Sequence, residues 1–289
     1  MPEVFNVKCD KLTLSGNISD SDLAVLDNYI TSAPDVEIIG VTTQTSVRGK
    51  LFCNDENSVW FEFDKVRANS FRCNNFRLEF NPSKLSIDRI IQLKTKVLYV
   101  VSDLQVNRYD LAFDCDFDLS EVYFDRPRTK MIRYYGVDGD IETITYGTRN
   151  SDVFERIYNK NRQIEDTEDL EEQREGDWWR YELQFNRWRK FEPLLDSNFT
   201  MLIDKTMKIP DYEVLNNPQE ELILTSMLVI PEKFARLHKN TKYRYRKKMR
   251  EIPSKLDLNK MLNDALKKRA PELEREVRGW LKSGKALFK

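Results

Sequence analysis

Apolar and polar positions alternate with period two along three segments of this chain, and that alternation predicts half-buried strands. Residues 153–160 put Phe154, Arg156, Tyr158 and Lys160 on one side and Val153, Glu155, Ile157 and Asn159 on the other. Residues 108–116 set Arg108, Asp110, Asp114 and Asp116 against Tyr109, Leu111, Phe113 and Cys115. Residues 178–185 set Arg180, Glu182 and Gln184 against Trp179, Tyr181, Leu183 and Phe185. Shorter strand signals fall at 11–14, 36–42, 59–63, 76–80, 133–136 and 141–147, and Val137-Asp138-Gly139-Asp140 reads as a hairpin turn in which glycine supplies the positive φ. Strands joined by such short turns predict an antiparallel meander.

Helical spacing appears at 19–30, where Ser and Asp favour the start, and from 86 toward 98. An acidic run within 163–177 reads as a solvated helix or loop. Beyond about Phe191 the pattern turns helical to the end, with helices expected near 220–228, 231–238, 256–268 and 271–282. The expected fold class is therefore α+β: a largely antiparallel sheet with helices packed on one face and a helical, basic C-terminal region. Residues 1–230 would carry the site and 231–289 would form a basic helical DNA-binding region, with a soft boundary. No internal repeat and no low-complexity linker is visible in the sequence.

Charge sharpens this division. The 289 residues have a net charge of −1, yet from Lys233 onward there are 19 Lys+Arg against 6 Asp+Glu, and 28 against 42 before it. A basic end suits a polyanion, and an acidic body can hold cations. Between Lys239 and Arg250 the cations Lys242, Arg244, Arg246, Lys247, Lys248 and Arg250 interleave with Tyr243 and Tyr245, which favours nucleic-acid contact over a plain solvated face.

Absences exclude several classes of function. A single histidine, His238, rules out a two-histidine metal site and Cys-His proteolysis. None of the nine glycines builds a phosphate-cradling loop, which removes nucleotide-driven motors and kinases. Cys9, Cys53, Cys73 and Cys115 form no Cys-x-x-Cys pair and read as reduced, mostly buried thiols. No apolar run is long enough to span a bilayer and the first residues do not resemble a signal peptide, so a cytoplasmic protein without membrane association is expected.

A phenol flanked by two cations suits attack on a phosphodiester, and a strand with an exposed cationic, aromatic face is the other reading of the same segment. A phenol titrates near roughly 10, so Tyr158 needs flanking cations such as Arg156 and Lys160 to become a nucleophile at neutral pH. Three like charges on one strand face call for a compensating cation, and a hard metal such as Mg²⁺ or Mn²⁺ suits Asp110 and Asp114, with Glu182 able to complete the set. Ordinary ion pairs of these acids with Arg108, Arg156 or Arg180 are the alternative.

The block Tyr146-Gly-Thr-Arg-Asn-Ser-Asp152 followed by Arg156-Ile-Tyr-Asn-Lys160, with Arg108-Tyr-Asp-Leu-Ala-Phe-Asp114 upstream and Trp179-Arg-Tyr-Glu-Leu183 downstream, resembles the replication initiation factors of the Rep_trans type. These are rolling-circle initiators of plasmids and phages, related to relaxases of integrative elements. The stretches 11–16 and 76–82 are similar to the same family, so the resemblance covers most of residues 8 to 190. It implies Tyr158 as nucleophile, Asp110 and Glu182 as metal ligands, and Arg149 as a phosphate contact. It further implies nicking of an extruded origin hairpin with a 5′-phosphotyrosine and a 3′-hydroxyl primer, a host helicase as partner, and a homodimer. Tyr146, Tyr134 and Tyr135 are the next candidates for the nucleophile. Two other readings stand beside it: a non-catalytic DNA-binding module derived from such an initiator, and a structural phage protein.

Overall fold

The chain is described by a computed structural model over residues 2–43, 45–126, 129–166, 174–186, 194 and 206–285. It runs β1 (Val4–Asn17), α1 (Asp20–Ser32), β2 (Val36–Thr43), β3 (Ser46–Leu51), β4 (Val59–Asp64), α2 (Lys65–Phe71), β5 (Phe76–Phe80) and α3 (Ile87–Gln92). The second stretch is β6 (Ser102–Cys115), β7 (Tyr123–Phe124), β8 (Met131–Tyr135), β9 (Ile141–Tyr146), β10 (Val153–Asn159), α4 (Lys160–Asp166) and β11 (Trp179–Asn186). Then follow β12 (Met207–Pro210), α5 (Pro218–Val229), α6 (Pro231–Ala235), α7 (Lys239–Glu251), β13 (Ser254–Asp257) and α8 (Leu258–Leu281).

Ten strands form one antiparallel sheet in the order β2-β3-β4-β5-β1-β6-β11-β10-β9-β8. Outward from the central β1–β6 pair the two halves have the same plan: a long central strand, then the last strand of its half, then the meander in reverse. The α+β expectation holds, and the sheet contains a topological repeat that the sequence does not display. A second sheet, β13-β12-β7, is small.

Alternation decides which side of the large sheet is buried. From β6, Tyr109, Leu111, Phe113 and Cys115 point to the back, as do Trp179, Tyr181, Leu183 and Phe185 from β11. Against this back face lies α8, which buries Leu258, Leu262, Leu266, Ala270, Leu273, Val277 and Trp280 at three- and four-residue steps, with Trp280 edge-on to Phe80 at 4.7 Å. The front face holds Asp110, Asp114, Arg180 and Glu182. A polar face beside an apolar face on one strand is the signature of a sheet covered on one side.

Several local expectations change. The helices expected at 256–268 and 271–282 are one helix, α8, with Pro271 inside it and exposed, because the apolar series is continuous across the proline and holds both halves on the sheet. The C-terminal third is not helical throughout, since β12 and β13 pair with each other. The strand expected through Lys160 ends at Asn159, and Lys160 begins α4. The strand at 46–51 leaves no clear alternation in the sequence because Gly49 interrupts it, yet a Cβ at Gly49 would lie 2.3 Å from the Glu37 carbonyl oxygen, so the close pairing of β2 and β3 requires that glycine. The hairpin turn is as expected, with Gly139 at φ 88°. Part of the acidic run, residues 167–173, lies outside the described residues. All four cysteines are unbonded, but only Cys9 and Cys115 are buried.

The composition boundary near residue 230 falls between α5 and α6, inside a second hydrophobic cluster of Tyr123, Leu224, Met227, Phe234, Tyr245, Met249 and Ile252. Beyond it the chain returns to the main core through α8.

Candidate active site

Strand register arranges the front face as a grid. One row runs Tyr134 on β8, Thr143 on β9, Tyr158 on β10, Arg180 on β11, Asp114 on β6 and Asn6 on β1. The next row runs Ile132, Thr145, Arg156, Glu182, Ala112 and Lys8. A third joins Phe154, Gln184, Asp110 and Lys11. The segments that the sequence marked as alternating are thus sheet neighbours, and their polar faces meet. Between Cys9 and Lys11 the register of β1 slips, and the extra residue of this bulge, Asp10, turns its carboxylate onto Arg180.

Tyr158 sits at the centre. Its hydroxyl donates to Glu182 Oε2 at 3.3 Å and accepts from Arg180 Nη1 at 3.4 Å, while the Arg156 guanidinium lies over its ring at 4.4 Å. The second cation at the phenol is therefore Arg180, from another strand, in place of the Lys160 expected beside it. Lys160 Nζ donates to Gln163 Oε1 at 3.0 Å and lines a smaller cleft of about 320 Å³ together with Tyr158 and Arg180. Tyr158 is only 4% exposed, and burial pushes its hydroxyl well above the usual phenol range, against the pull of Arg180 and Arg156. Two buried donors beside it, Arg156 Nε and Arg180 Nη2, have no hydrogen-bond partner. An unmade hydrogen bond from a buried cation is costly, and an incoming phosphate oxygen would satisfy it.

The carboxylates divide by partner. Asp114 accepts from Arg180 Nε at 2.6 Å, Trp178 Nε1 at 3.2 Å and Asn6 Nδ2 at 2.9 Å, and Arg180 and Lys8 hold its carboxyl below the usual range despite burial. These partners make Asp114 the anchor of Arg180. Asp116 lies past the end of β6, where it accepts from the Glu3 backbone N–H. Glu182 accepts from Arg156 Nη2 at 2.8 Å and lies diagonal to Asp110 across β11 and β6. Asp110 is fully covered and bound by Arg108, yet burial and the nearby charges of Glu182 and Asp10 push its carboxyl up to about 6.

A buried Asp110 carboxyl with the Glu182 carboxylate diagonal to it suits a hard divalent cation, whose charge would offset both. Among the described residues no group of three or more His, Cys, Asp or Glu converges as a full cage. Two carboxylates with water and phosphate oxygens completing the shell is the arrangement Mg²⁺ commonly uses.

Cations surround this centre. A cleft of about 960 Å³ is lined by Lys11, Arg67, Arg77, Arg108, Arg149 and Arg156 along with Asp10, Asp110 and Glu182. Arg149 also lines a neighbouring cleft that contains Tyr158, so it stands where the two meet. The remaining expected DNA contacts lie on α7, away from this face. There Lys248 pairs with Glu220, Arg250 with Asp125 at 2.6 Å, and Lys242 Nζ donates to the Ala235 carbonyl at 2.9 Å. Arg246 lies over the Phe234 ring, Arg244 lies over the Tyr245 ring at 4.9 Å, and Lys247 pairs with Glu251 at 3.7 Å; Arg244 and Lys247 are exposed. Asp125 adjoins Arg126, which binds Glu155 on the back of β10 at 2.7 Å, so α7 is tethered to the side opposite Tyr158.

Two family models match the chain, "Replication initiation protein, N-terminal" over residues 11–101 and "Replication initiation factor" over residues 124–208. A replication initiation protein of Staphylococcus aureus is 31% identical over 273 residues, covering 94% of this chain and 83% of its own length. The chain belongs to this replication initiation protein family. Two further family members from the same organism are 30% identical over 273 residues. Among solved structures, that of a rolling circle replication initiator protein from Geobacillus stearothermophilus has 14% identity and a TM-score of 0.44, over 76% of this chain and 91% of that one. The two family matches fall one on each half of the large sheet, and β6, with Asp110, lies between them.

Two residues of the site carry no catalytic signal in the sequence. Arg180 reads there only as an ion-pair partner for the acids, and its position beside Tyr158 follows from the pairing of β10 with β11. Asp10 carries no pattern signal, because a bulge breaks the period that a sequence reading depends on.

Proposed function

We propose that the chain is a rolling-circle replication initiator that nicks and rejoins origin DNA through Tyr158. The observation that carries this reading is the Tyr158 hydroxyl held between Glu182 and Arg180 with the orphaned donors of Arg156 and Arg180 beside it. An anion with oxygens to spare belongs there, and a phosphodiester is the anion that family membership supplies.

The chain's own groups account for the step. Tyr158 gives its proton to Glu182 Oε2, and its oxygen bonds to phosphorus as the bond from phosphorus to the 3′-oxygen breaks. The electron pair leaves on the 3′-oxygen, which takes a proton from solvent and becomes the 3′-hydroxyl primer; the 5′ end stays on Tyr158. Arg180, fixed by Asp114 and Asp10, stabilises the phenolate, and Arg156 faces the charge that develops on phosphate. Because the nucleophile is covered, the scissile strand has to enter along the clefts that flank it. Asp110 and Glu182 would hold a Mg²⁺- or Mn²⁺-class ion, which when bound supplies positive charge to the phosphate. Basic groups of the front cleft would contact the nicked strand, and α7 the origin duplex.

The test is incubation with supercoiled plasmids carrying candidate origins, in Mg²⁺, Mn²⁺ or EDTA, read on denaturing gels. A nick with protein on the 5′ end, lost in Tyr158→Phe, is the expected result. A covalent adduct that survives Tyr158→Phe sinks the assignment. The burial of Tyr158 favours a second reading, a non-catalytic DNA-binding module, which predicts salt-sensitive binding without a nick on its cognate origin.

A further inference from the structure

Beside Tyr158 the front face carries a second cleft, on the side away from Asp110 and Asp114. Its cavity is about 550 Å³, within the range of small-ligand sites, and Tyr158 and Arg156 form one wall. Register sets the rest. Thr143 pairs with Tyr158, and Tyr134 pairs with Thr143, so the Tyr134 ring lies on the same row and face, two strands from the nucleophile. Two strand spacings are about 10 Å. That separation leaves room for a planar group between the two rings.

The lining is mixed in a telling way. Tyr134 and Ile132 give an apolar wall, Thr143 and Thr145 give hydroxyls that both donate and accept, and Lys130 and Arg149 stand on the rim. At the far end Arg162 on α4 pairs with Asp138 in the β8–β9 turn at 2.5 Å and bounds the cleft. Tyr134 is 52% exposed, so its ring is open to a group entering the cleft.

We propose that this cleft is a base-binding subsite, in which the unpaired nucleobase adjacent to the scissile phosphate stacks on Tyr134 while Lys130 and Arg149 take the neighbouring phosphates. The inference rests on the nicking reading for its position in the reaction, but the binding it describes is independent of cleavage. Stacking on an aromatic ring is sequence-tolerant, and hydroxyls of Thr143 and Thr145 suit any base edge. The subsite therefore recognises single-strandedness, and it would hold the strand against Tyr158 only after the duplex has opened there.

The experiment uses a short oligothymidylate carrying one 2-aminopurine, in EDTA and in the Tyr158→Phe chain, so that no cleavage enters the readout. Binding should quench the 2-aminopurine. Tyr134→Ala should abolish the quench and weaken binding roughly 5- to 100-fold, whereas Tyr134→Phe and Tyr134→Trp keep the ring and should bind within about twofold of the parent. Tyr135→Ala, on the other face of the same strand, should bind like the parent and controls for damage to the hairpin. Undiminished quench and affinity in Tyr134→Ala overturn the proposal. Loss of the covalent adduct in Tyr134→Phe, scored on supercoiled plasmid, also overturns it, since Tyr134 would then be the nucleophile. Ring-dependent quenching in a protein that nicks no plasmid supports the subsite and fails the proposed function alone.

Discussion

The chemistry of Asp110 depends strongly on its surroundings. Its carboxyl is pushed up to about 6 by burial first, then by Glu182 and Asp10, with Arg108 opposing. A raised carboxyl holds its proton in the folded state over a range where the unfolded chain has lost it. Stability from this group is therefore fully present below about pH 4 and is lost as pH rises through about 6, a change of at most about 3 kcal/mol. Asp110→Asn should flatten that decline in urea unfolding curves taken between pH 4 and 7. A divalent ion competes with the same proton, so stabilisation of the parent by Mn²⁺ in thermal melts should grow from about pH 5 to 7 and be absent in Asp110→Asn. Equal Mn²⁺ stabilisation in both chains would remove Asp110 from the cation site. Asp114, three-fold bonded and held below its usual range, should show no such metal linkage.

At the scale of elements, β10 and β11 create the site because each presents alternate residues to opposite environments. Arg156, Tyr158, Arg180 and Glu182 face forward while Ile157, Tyr181 and Leu183 seal the core. The same β10 backbone carries Glu155 to the back, where Arg126 and Tyr181 bind it at 2.7 and 2.6 Å. That buried network joins the sheet to Asp125 and hence to α7. Helix α8 is the element that fixes the back face, and its interior proline is a weak point. Pro271 removes one helical hydrogen bond and costs up to about 3 kcal/mol relative to alanine. Since Pro271 is exposed and the helix continues through it, Pro271→Ala should stabilise the chain by about 1 to 3 kcal/mol and raise Tm. A lower Tm would mean that the proline shapes the helix to the sheet.

For the whole molecule, two basic surfaces lie on different sides of the sheet. The front cleft with Arg149 opens toward Tyr158, and α7 with Arg244 and Lys247 is tethered to the back through Asp125 and Arg250. Their roles should separate by titration with different DNAs. Arg149→Ala should weaken single-stranded oligonucleotide binding with little effect on duplex, and Arg244→Ala paired with Lys247→Ala should do the reverse, each reducing the salt dependence of its own complex. Parallel loss on both DNAs from either change would join the surfaces into one. Among the described residues no helix is long and apolar enough to cross a membrane.

The antiparallel α+β class and the two faces of β6, β10 and β11 were legible in the sequence, because period-two alternation fixes which residues of one strand share a face; the grouping of Tyr158 with Asp110 and Glu182 came from the family resemblance alone. Alternation within one strand says nothing of which strand lies next to it. Only the tertiary structure paired Arg180 with Tyr158, closed Asp114 onto Arg180, brought Asp10 in through a bulge and put Tyr134 in the row of Tyr158. The repeat between the two halves stayed hidden for the same reason. It resides in hydrogen-bond register across the sheet, which is a relation between distant segments and leaves no periodic trace along the chain.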